Sequence, residues 1–128
     1  MGIKILVMED DKPILDLFKI ILEDFGEVIA VEDGAAGVEI IKKDENKSIG
    51  IIVSDVDMPK KDGFQAFSEI IEIRPDLKEK YIFTTGKPKH HADKIKSLGK
   101  NIKIIAKPFH IKELSKNIKA LLSKKAET

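Results

Sequence analysis

The side chains that could do chemistry in this sequence are first of all two groups of carboxylates, each next to an apolar run. Glu9 and Asp10 follow the first run, and Asp55 and Asp57 follow a later one. Clustered carboxylates raise one another's pKa unless a cation neutralises them, and a hard divalent ion such as Mg²⁺ does so through oxygen ligands. If the groups meet, one carboxylate could attack phosphorus and form an acyl phosphate. Alternatively the first group, with Asp11, only caps the following helix.

Two further polar groups end later apolar runs, namely Thr85 and Lys107. A lysine can hold a phosphoryl oxygen as a point charge, and a threonine hydroxyl can donate a hydrogen bond to another. Little else would be needed, because phosphoryl transfer depends mainly on positioning and charge stabilisation. Taken alone, each group is more typical of a strand-end hydroxyl or a solvated lysine.

Five short apolar runs that would position these groups alternate with five amphipathic stretches. The runs are rich in Ile and Val and lack clean alternation, which is typical of strands buried on both faces of a parallel sheet. The predicted strands are Ile3–Met8, Glu27–Val31, Ile51–Val56, Tyr81–Thr85 and Ile102–Ala106. The predicted helices are Lys12–Phe25, Ala35–Lys43, Gly63–Ile73, Lys89–Leu98 and Ile111–Ser123. This order predicts an α/β fold with helices on both faces and a ligand site beyond the carboxyl ends of the strands.

Length and composition favour a single globular domain. The 128 residues include no cysteine, which excludes disulfides and thiolate metal sites, and 23 basic residues nearly balance 22 acidic ones. Because Arg74 is the only arginine, we expect no direct contact with nucleic acid. No apolar stretch approaches a membrane span and no secretory signal is evident, so we expect a soluble, cytoplasmic protein without membrane insertion. Residues 1–123 are expected to form the domain and 124–128 a frayed tail.

Four segments together resemble the response-regulator receiver domains of two-component signalling, of the chemotaxis-regulator-like kind. Ile5–Pro13 resembles the family's first strand with its acidic pair, and Val53–Gly63 resembles its phosphoacceptor loop. Thr85-Gly86 and Lys107-Pro108-Phe109 match the other motifs, and Thr85 follows Asp55 by 30 residues and precedes Lys107 by 22, as in the family. The resemblance covers nearly the whole chain. It implies a flavodoxin-like, doubly wound sheet of five parallel strands in the order 2-1-3-4-5.

The resemblance also implies a role for each residue of the site. Asp55 would accept the phosphoryl group, and Thr85 and Lys107 would bind it. The ligands of Mg²⁺, or of Mn²⁺ in its place, would be the carboxylates of Asp10 and Asp55, the backbone carbonyl of Asp57, and Glu9 through a metal-bound water. The protein would be a signalling phosphoacceptor that catalyses only its own phosphorylation and dephosphorylation, not an enzyme. The Lys107–Pro108 bond would be cis, and Gly63 would adopt a backbone shape that other residues resist.

Two positions depart from the family pattern. Glu9 stands where the family usually has aspartate, a change that lengthens the side chain and keeps its charge. Ile104 stands three residues before Lys107, where the family usually has the Tyr or Phe that swings inward during switching. With isoleucine there, the activation signal would be weaker or carried by backbone and packing changes.

The resemblance further implies which partners exchange signals with the chain. A sensor histidine kinase or a histidine phosphotransfer protein would supply the phosphoryl group, and a downstream protein target would receive the signal. Phosphorylation would move Thr85 and change the surface of helix 4, strand 5 and helix 5. That surface would carry His90, His91, Lys94, Ile104 and Lys112. The chain would be a monomer or a weak homodimer.

Two expectations concern individual side chains near these surfaces. Asp57 and Lys87, each two residues beyond a site residue, are predicted to form an ion pair across the pocket mouth that tunes hydrolysis. The predicted core stripe of helix 1 consists of Ile14, Leu17, Phe18, Ile21 and Phe25. Leu15 and Leu22 lie off that stripe, so they would be either a docking site for the kinase or scattered surface leucines.

Two other functions remain open on the sequence alone. The Asp-x-Asp pattern of Asp55 and Asp57 also resembles haloacid-dehalogenase-type phosphatases, in which these residues would be nucleophile and general acid. That family carries the pattern on its first strand and places further acids after its lysine, whereas only Glu113 and Glu127 follow Lys107 here. The other alternative is a pseudo-receiver that is never phosphorylated and serves as an interaction module, which the complete acid, threonine and lysine set disfavours.

Overall fold

Five parallel strands form one sheet in the computed structural model of the protein, which describes residues 2–123. The strand order is β2-β1-β3-β4-β5, so the predicted fold and order are confirmed. The strands are β1 Lys4–Met8, β2 Glu27–Val31, β3 Ile49–Asp55, β4 Tyr81–Thr85 and β5 Lys103–Ala106. The helices are α1 Lys12–Leu22, α2 Gly34–Lys43, α3 Gly63–Ile73, α4 Pro88–Leu98 and α5 Ile111–Ser123, with a 3-10 helix at Pro75–Lys80. The predicted tail, 124–128, lies outside the described residues.

Side-chain caps fix where α1, α2 and α3 begin. At the start of α1, the Asp11 carboxylate accepts a hydrogen bond of 3.3 Å from the backbone N–H of Ile14. At the start of α3, Asp62 and Gln65 form a reciprocal capping box in which each side chain accepts a bond of 2.9 Å from the other residue's backbone N–H. Such caps contribute about 1 kcal/mol each. Of the first acidic group, Asp11 therefore caps the helix, as the alternative interpretation expected.

Most predicted boundaries agree with the structure within one residue, and the two larger differences have local causes. α1 ends at Leu22 instead of Phe25, because the Phe25 N–H turns back to the Leu22 carbonyl at 2.9 Å. β3 begins two residues early, at Ile49, whose N–H donates to the Asp44 carboxylate at 2.9 Å. The 3-10 helix between α3 and β4 is not among the predicted elements.

The sheet has an apolar core on each of its faces. Val7, Val53 and Ile105 are buried under α1 and α5, whereas Met8 and Phe83 are buried under α2, α3 and α4. Successive residues of a strand face opposite cores, so the residues on both sides of the strand must be apolar. This explains the continuous apolar runs in the sequence. None of the helices within residues 2–123 is both long enough and apolar enough to cross a membrane.

The burial of α1 corrects the sequence prediction. Leu15 and Leu22, predicted to be exposed, are buried in the core beneath this helix. Leu17, predicted to be in the core, is 38% exposed, and Ile20 is 65% exposed. The prediction was wrong because α1 is apolar around most of its circumference, so the helical period does not by itself select the side that meets the sheet.

Gly63, at the start of α3, is required by a close approach of two backbone segments. Its φ is not in the left-handed region, and no glycine within residues 2–123 has a positive φ, so the expectation of an unusual backbone shape is wrong. A β-carbon at this position would collide with the Asp55 carbonyl oxygen and crowd the Val56 Cα. The glycine therefore lets α3 begin directly against the end of β3, where the site lies.

Candidate functional site

Three carboxylates meet at the carboxyl ends of β1 and β3. Glu9 and Asp10 directly follow β1, and Asp55 ends the neighbouring β3, with Met8 paired to Ser54 in the register. One oxygen from each carboxylate lies within 4.8 Å of the other two. Glu9 and Asp55 are buried, whereas Asp10 is exposed. Glu9, Asp10 and Asp55 therefore converge at one edge of the sheet, as the parallel topology predicts, whereas Asp57 is not part of this cluster.

A lysine reaches these carboxylates from the end of β5, two strands away. Nζ of Lys107 donates a hydrogen bond to Oε1 of Glu9 at 2.7 Å and lies 3.3 Å from Oδ2 of Asp55. The other carboxylate oxygen of Glu9 accepts a bond of 3.1 Å from the backbone N–H of Asp11. The Lys107–Pro108 peptide bond is cis, as predicted. Glu9 is thus fixed at one oxygen by the backbone and at the other by the lysine.

Burial is the main influence on the charges of this site. It raises the pKa of Glu9 and of Asp55, because the ionised form loses solvation, and the hydrogen bond and charge of Lys107 only partly oppose it. Burial alone would lower the pKa of Lys107, but the hydrogen bond to Glu9 and the charge of Asp55 outweigh it, so this pKa is raised. One lysine faces three carboxylates, and the remaining negative charge is of the kind that a divalent cation neutralises.

Thr85 ends β4, the strand between β3 and β5, and its side chain is buried. Its Oγ1 accepts a hydrogen bond of 2.9 Å from the backbone N–H of Lys87. Its carbonyl oxygen accepts a bond of 2.8 Å from the backbone N–H of Lys107. Because the hydroxyl acts as an acceptor toward Lys87, its proton remains available to a further acceptor.

The carboxylate of Asp57 pairs with a different residue from the one predicted. Its Oδ2 lies 3.3 Å from Nε2 of His91 in α4, and no ion pair joins Asp57 to Lys87 in the described part of the chain. The Lys87 side chain is exposed, whereas His91 packs edge-on against the Phe64 ring with 5.5 Å between centroids. Sequence reasoning missed this partner of Asp57, since no local pattern links residues 34 positions apart.

Ile104 lies beside Phe83 in the register of β5 and β4. It is partly buried and packs against the core under α3 and α4. On the predicted signalling surface, His90, Lys94 and Lys112 are exposed, and His91 is half-buried. The packing of Ile104 agrees with transmission through side-chain contacts, and its role in switching stays a prediction.

The fold and the site together define a signalling domain built around an acidic cluster, and the comparison with protein families gives the same class. The family model described as the response regulator receiver domain matches residues 5–119, and the chain belongs to that family. Over 120 residues it is 28% identical to the response regulator receiver protein CpdR of Brucella abortus. This alignment covers 93% of this chain and 96% of CpdR. The chain also spans about half the length of two transcriptional regulatory proteins that it resembles, CiaR of Streptococcus pneumoniae and PhoP of Bacillus subtilis.

Solved structures show the same architecture. A response regulator receiver domain protein from Clostridium thermocellum has a TM-score of 0.82 and 28% identity, with 97% of each chain covered. The receiver domain of the sensor histidine kinase PA1611 from Pseudomonas aeruginosa, with a magnesium ion coordinated in its active site cleft, has a TM-score of 0.81 and 23% identity, covering 96% of this chain and 99% of that one.

Family membership decides between the functions that the sequence left open. The chain is a receiver domain, a phosphoacceptor of two-component signalling rather than a classical enzyme. Receiver domains bind Mg²⁺ at an acidic site and interact with histidine kinases and phosphotransfer proteins. The phosphatase and pseudo-receiver alternatives are not favoured, because the family match spans the fold and the acidic cluster is complete.

Proposed function

We propose that Asp55 accepts a phosphoryl group from the phosphohistidine of a sensor histidine kinase or a histidine phosphotransfer protein. The observation that carries this proposal is the position of Lys107, whose Nζ lies between the buried carboxylates of Glu9 and Asp55. The ammonium group of a lysine in that place can exchange a carboxylate partner for an oxygen of a phosphoryl group bound next to it. Asp55 is buried and interacts electrostatically with both Lys107 and Asp10.

The transfer would be a displacement at phosphorus. An Asp55 oxygen forms a bond to phosphorus, the bond from phosphorus to the donor imidazole nitrogen breaks, and its electron pair leaves with the imidazole. Lys107 then binds one phosphoryl oxygen, and the Thr85 hydroxyl donates a hydrogen bond to another. In the hydrolytic branch, the oxygen of a water molecule forms a bond to phosphorus and the bond from phosphorus to the Asp55 oxygen breaks, with its electron pair remaining on the carboxylate. Inorganic phosphate then leaves with the protons of that water. The chain would thus catalyse only its own phosphorylation and dephosphorylation.

The donor set suits a hard divalent cation such as Mg²⁺, with Mn²⁺ as the substitute. The carboxylates of Asp10 and Asp55 and the backbone carbonyl of Asp57 would hold it, with Glu9 acting through a water, and all of these are oxygen donors. When bound, the ion supplies positive charge that shields the carboxylates from the incoming phosphoryl group. Burial is the main cause of the raised pKa values of Glu9 and Asp55, and a bound cation would oppose it by stabilising the ionised carboxylates.

Two surfaces would connect the site to partners. The exposed apolar pair Leu17 and Ile20 on α1 replaces Leu15 and Leu22 as the proposed contact for the kinase or phosphotransfer protein. On the output side, Thr85 would move toward the phosphoryl group, and Ile104 would pass the change to the surface of α4, β5 and α5. Lys87 stays a proposed tuning residue through the hydrogen bond of its backbone N–H to Thr85 Oγ1, not through the ion pair with Asp57 that was predicted.

Intact-mass measurement after incubation with acetyl phosphate and Mg²⁺ tests the proposal. We expect one added phosphoryl group on the wild type and on Asp57→Asn, and none on Asp55→Asn. Asp57→Asn is the matched control, because it removes a nearby carboxylate but keeps the backbone carbonyl. A phosphoryl group on Asp55→Asn at the wild-type level would contradict the assignment.

A further inference from the structure

The formal charge of the chain is divided unequally between two parts of the fold. Residues 86–123, which include α4, β5 and α5, hold ten lysines and two carboxylates, a net charge of +8. Residues 1–85 hold eleven basic and nineteen acidic side chains, a net charge of −8. Because β5 is an edge strand and both α4 and α5 pack against it, the positive charge surrounds one edge of the sheet.

Most of the lysines at this edge are exposed and lack a counter-charge. Eight are exposed, and none of these eight forms an ion pair within residues 2–123. They are Lys87, Lys89, Lys94, Lys96, Lys100, Lys112, Lys116 and Lys119. By contrast, Lys42 and Lys60 in the acidic part of the chain have carboxylate partners. A surface of unpaired like charges raises the local concentration of ligands of the opposite charge.

A shallow groove on α5 adds an apolar group to this charge. The groove has a volume of about 460 Å³ and is lined by Ile111, Lys112, Ser115, Lys116 and Lys119. Ile111 is 56% exposed, which is unusual for a large apolar side chain in this protein. The groove thus offers an apolar contact with lysines beside it.

We propose that this groove binds an acidic segment of a protein partner, with an apolar side chain of that segment on Ile111 and its carboxylates on the lysines. The inference rests on the proposed function in one respect, since it gives the chemistry of the downstream target of the same surface. Nucleic acid fits less well, because a phosphate backbone would not use Ile111, and residues 86–123 hold no arginine to read bases.

Fluorescence anisotropy with a synthetic amphipathic peptide, one leucine flanked by glutamates, tests the proposal on the unphosphorylated protein. Reversing Lys112, Lys116 and Lys119 to glutamate should weaken binding at least tenfold, taking about a threefold loss for each exposed charge pair. The matched control reverses Lys19, Lys42 and Lys43, three exposed lysines of α1 and α2, and should leave the affinity within about twofold of wild type.

A second pair of variants isolates the apolar contact. Ile111→Ser should weaken binding of the same peptide about threefold or more, whereas Ile20→Ser, at a side chain that is 65% exposed, should not. Both positions are exposed, so neither change should unfold the protein, and thermal unfolding checks this directly. Equal effects of Ile111→Ser and Ile20→Ser would overturn the proposal.

Other occupants of the groove would give different results. Tighter binding of duplex DNA or of anionic vesicles than of the peptide at the same salt concentration would overturn the assignment to a protein partner. Self-association of the wild type that the α5 triple variant abolishes would assign the groove to a second copy of the chain, and so would also overturn it. Because Asp55→Asn should bind the peptide as the wild type does, a failure of phosphorylation would not affect this test.

Discussion

Replacing Arg74 with methionine should lower the free energy of unfolding by about 3 kcal/mol, because this buried guanidinium joins three segments at the end of the sheet opposite the site. It donates to both carboxylate oxygens of Asp76, at 3.0 and 2.8 Å, and to the carbonyl of Ile49 at 3.0 Å. It also lies 3.3 Å from the Asp44 carboxylate. The side chain of Arg74 is 6% exposed and that of Asp44 is 9% exposed, whereas that of Asp76 is 59% exposed.

The magnitude follows from what Arg74→Met leaves behind. Removing one partner of a buried ion pair costs about 3–5 kcal/mol, since the other charge stays desolvated. The lower figure applies here, because Asp44 keeps hydrogen bonds from the side chain and backbone of Ser48 and from the Ile49 N–H. With a urea m-value of about 1.5 kcal/mol/M, the midpoint should fall by roughly 2 M.

The pH dependence of this loss gives a second test. Burial opposes ionisation of Asp44, but the hydrogen bonds from Ser48 and Ile49 and the charge of Arg74 outweigh it, so its pKa is lowered; the hydrogen bond from Arg74 also lowers the pKa of Asp76. A carboxyl whose folded pKa is lowered stabilises the fold above its ordinary pKa and loses that effect as the pH falls through the folded value. The difference in the free energy of unfolding between wild type and Arg74→Met should therefore have its full size at pH 7 and become smaller below about pH 3.8.

Urea unfolding of both proteins, with Asp76→Ala as the exposed control, measures these effects. The control should lower the free energy of unfolding by less, about 1–2 kcal/mol, because Asp76 is itself exposed and Arg74 keeps Asp44 and the Ile49 carbonyl as partners. Phosphorylation of Asp55 should be unchanged in Arg74→Met. A loss below about 1 kcal/mol in Arg74→Met, or an equal loss in Asp76→Ala, would refute the account of this network.

Three further predictions concern packing and charge. Gly63→Ala should destabilise the fold by about 1–3 kcal/mol in urea unfolding, whereas Gly86→Ala, where a β-carbon meets open space, should be nearly neutral; equal losses would contradict the close approach at Gly63. Leu15→Ala should lower the free energy of unfolding by about 2–5 kcal/mol and Leu17→Ala by less than about 1 kcal/mol. The reverse order would favour the core residues first predicted for α1. The pKa of Glu9 is raised above 4.5 in the folded protein, so the free energy of unfolding of the metal-free wild type should fall as the pH rises from that value through the folded pKa. If the free energy of unfolding of Glu9→Gln falls with the same slope over this pH range, the prediction is wrong.

The part of the site that depends on topology could be predicted from the sequence. Asp10, Asp55 and Lys107 each follow an apolar run, and parallel strands bring their carboxyl ends to one edge of the sheet. The cap at Asp11 could also be predicted, because an acidic residue just before a helix that begins with proline is a local sequence signal for a cap.

Contacts decided by tertiary packing could not be predicted in this way. The helical period of α1 does not separate Leu15 from Leu17, because both are leucines on a helix with apolar residues on several sides. The pairing of Asp57 with His91 depends on how α4 lies against Phe64, and the burial of Arg74 depends on the 3-10 helix that follows α3. In each case the deciding contact is distant in the chain or rests on an element without a clear sequence signal.

We propose that carboxylates at the ends of β1 and β3 hold one divalent cation, which faces Lys107. Substoichiometric Mn²⁺, followed through the broadening of backbone amide resonances, tests this most directly. We predict that the amides of residues 9–11, 55–57 and 107 broaden first, and that Asp10→Asn requires a several-fold higher Mn²⁺ concentration. Broadening that spreads evenly over the acidic residues of α1 and α2, or that is unchanged in Asp10→Asn, would contradict the claim.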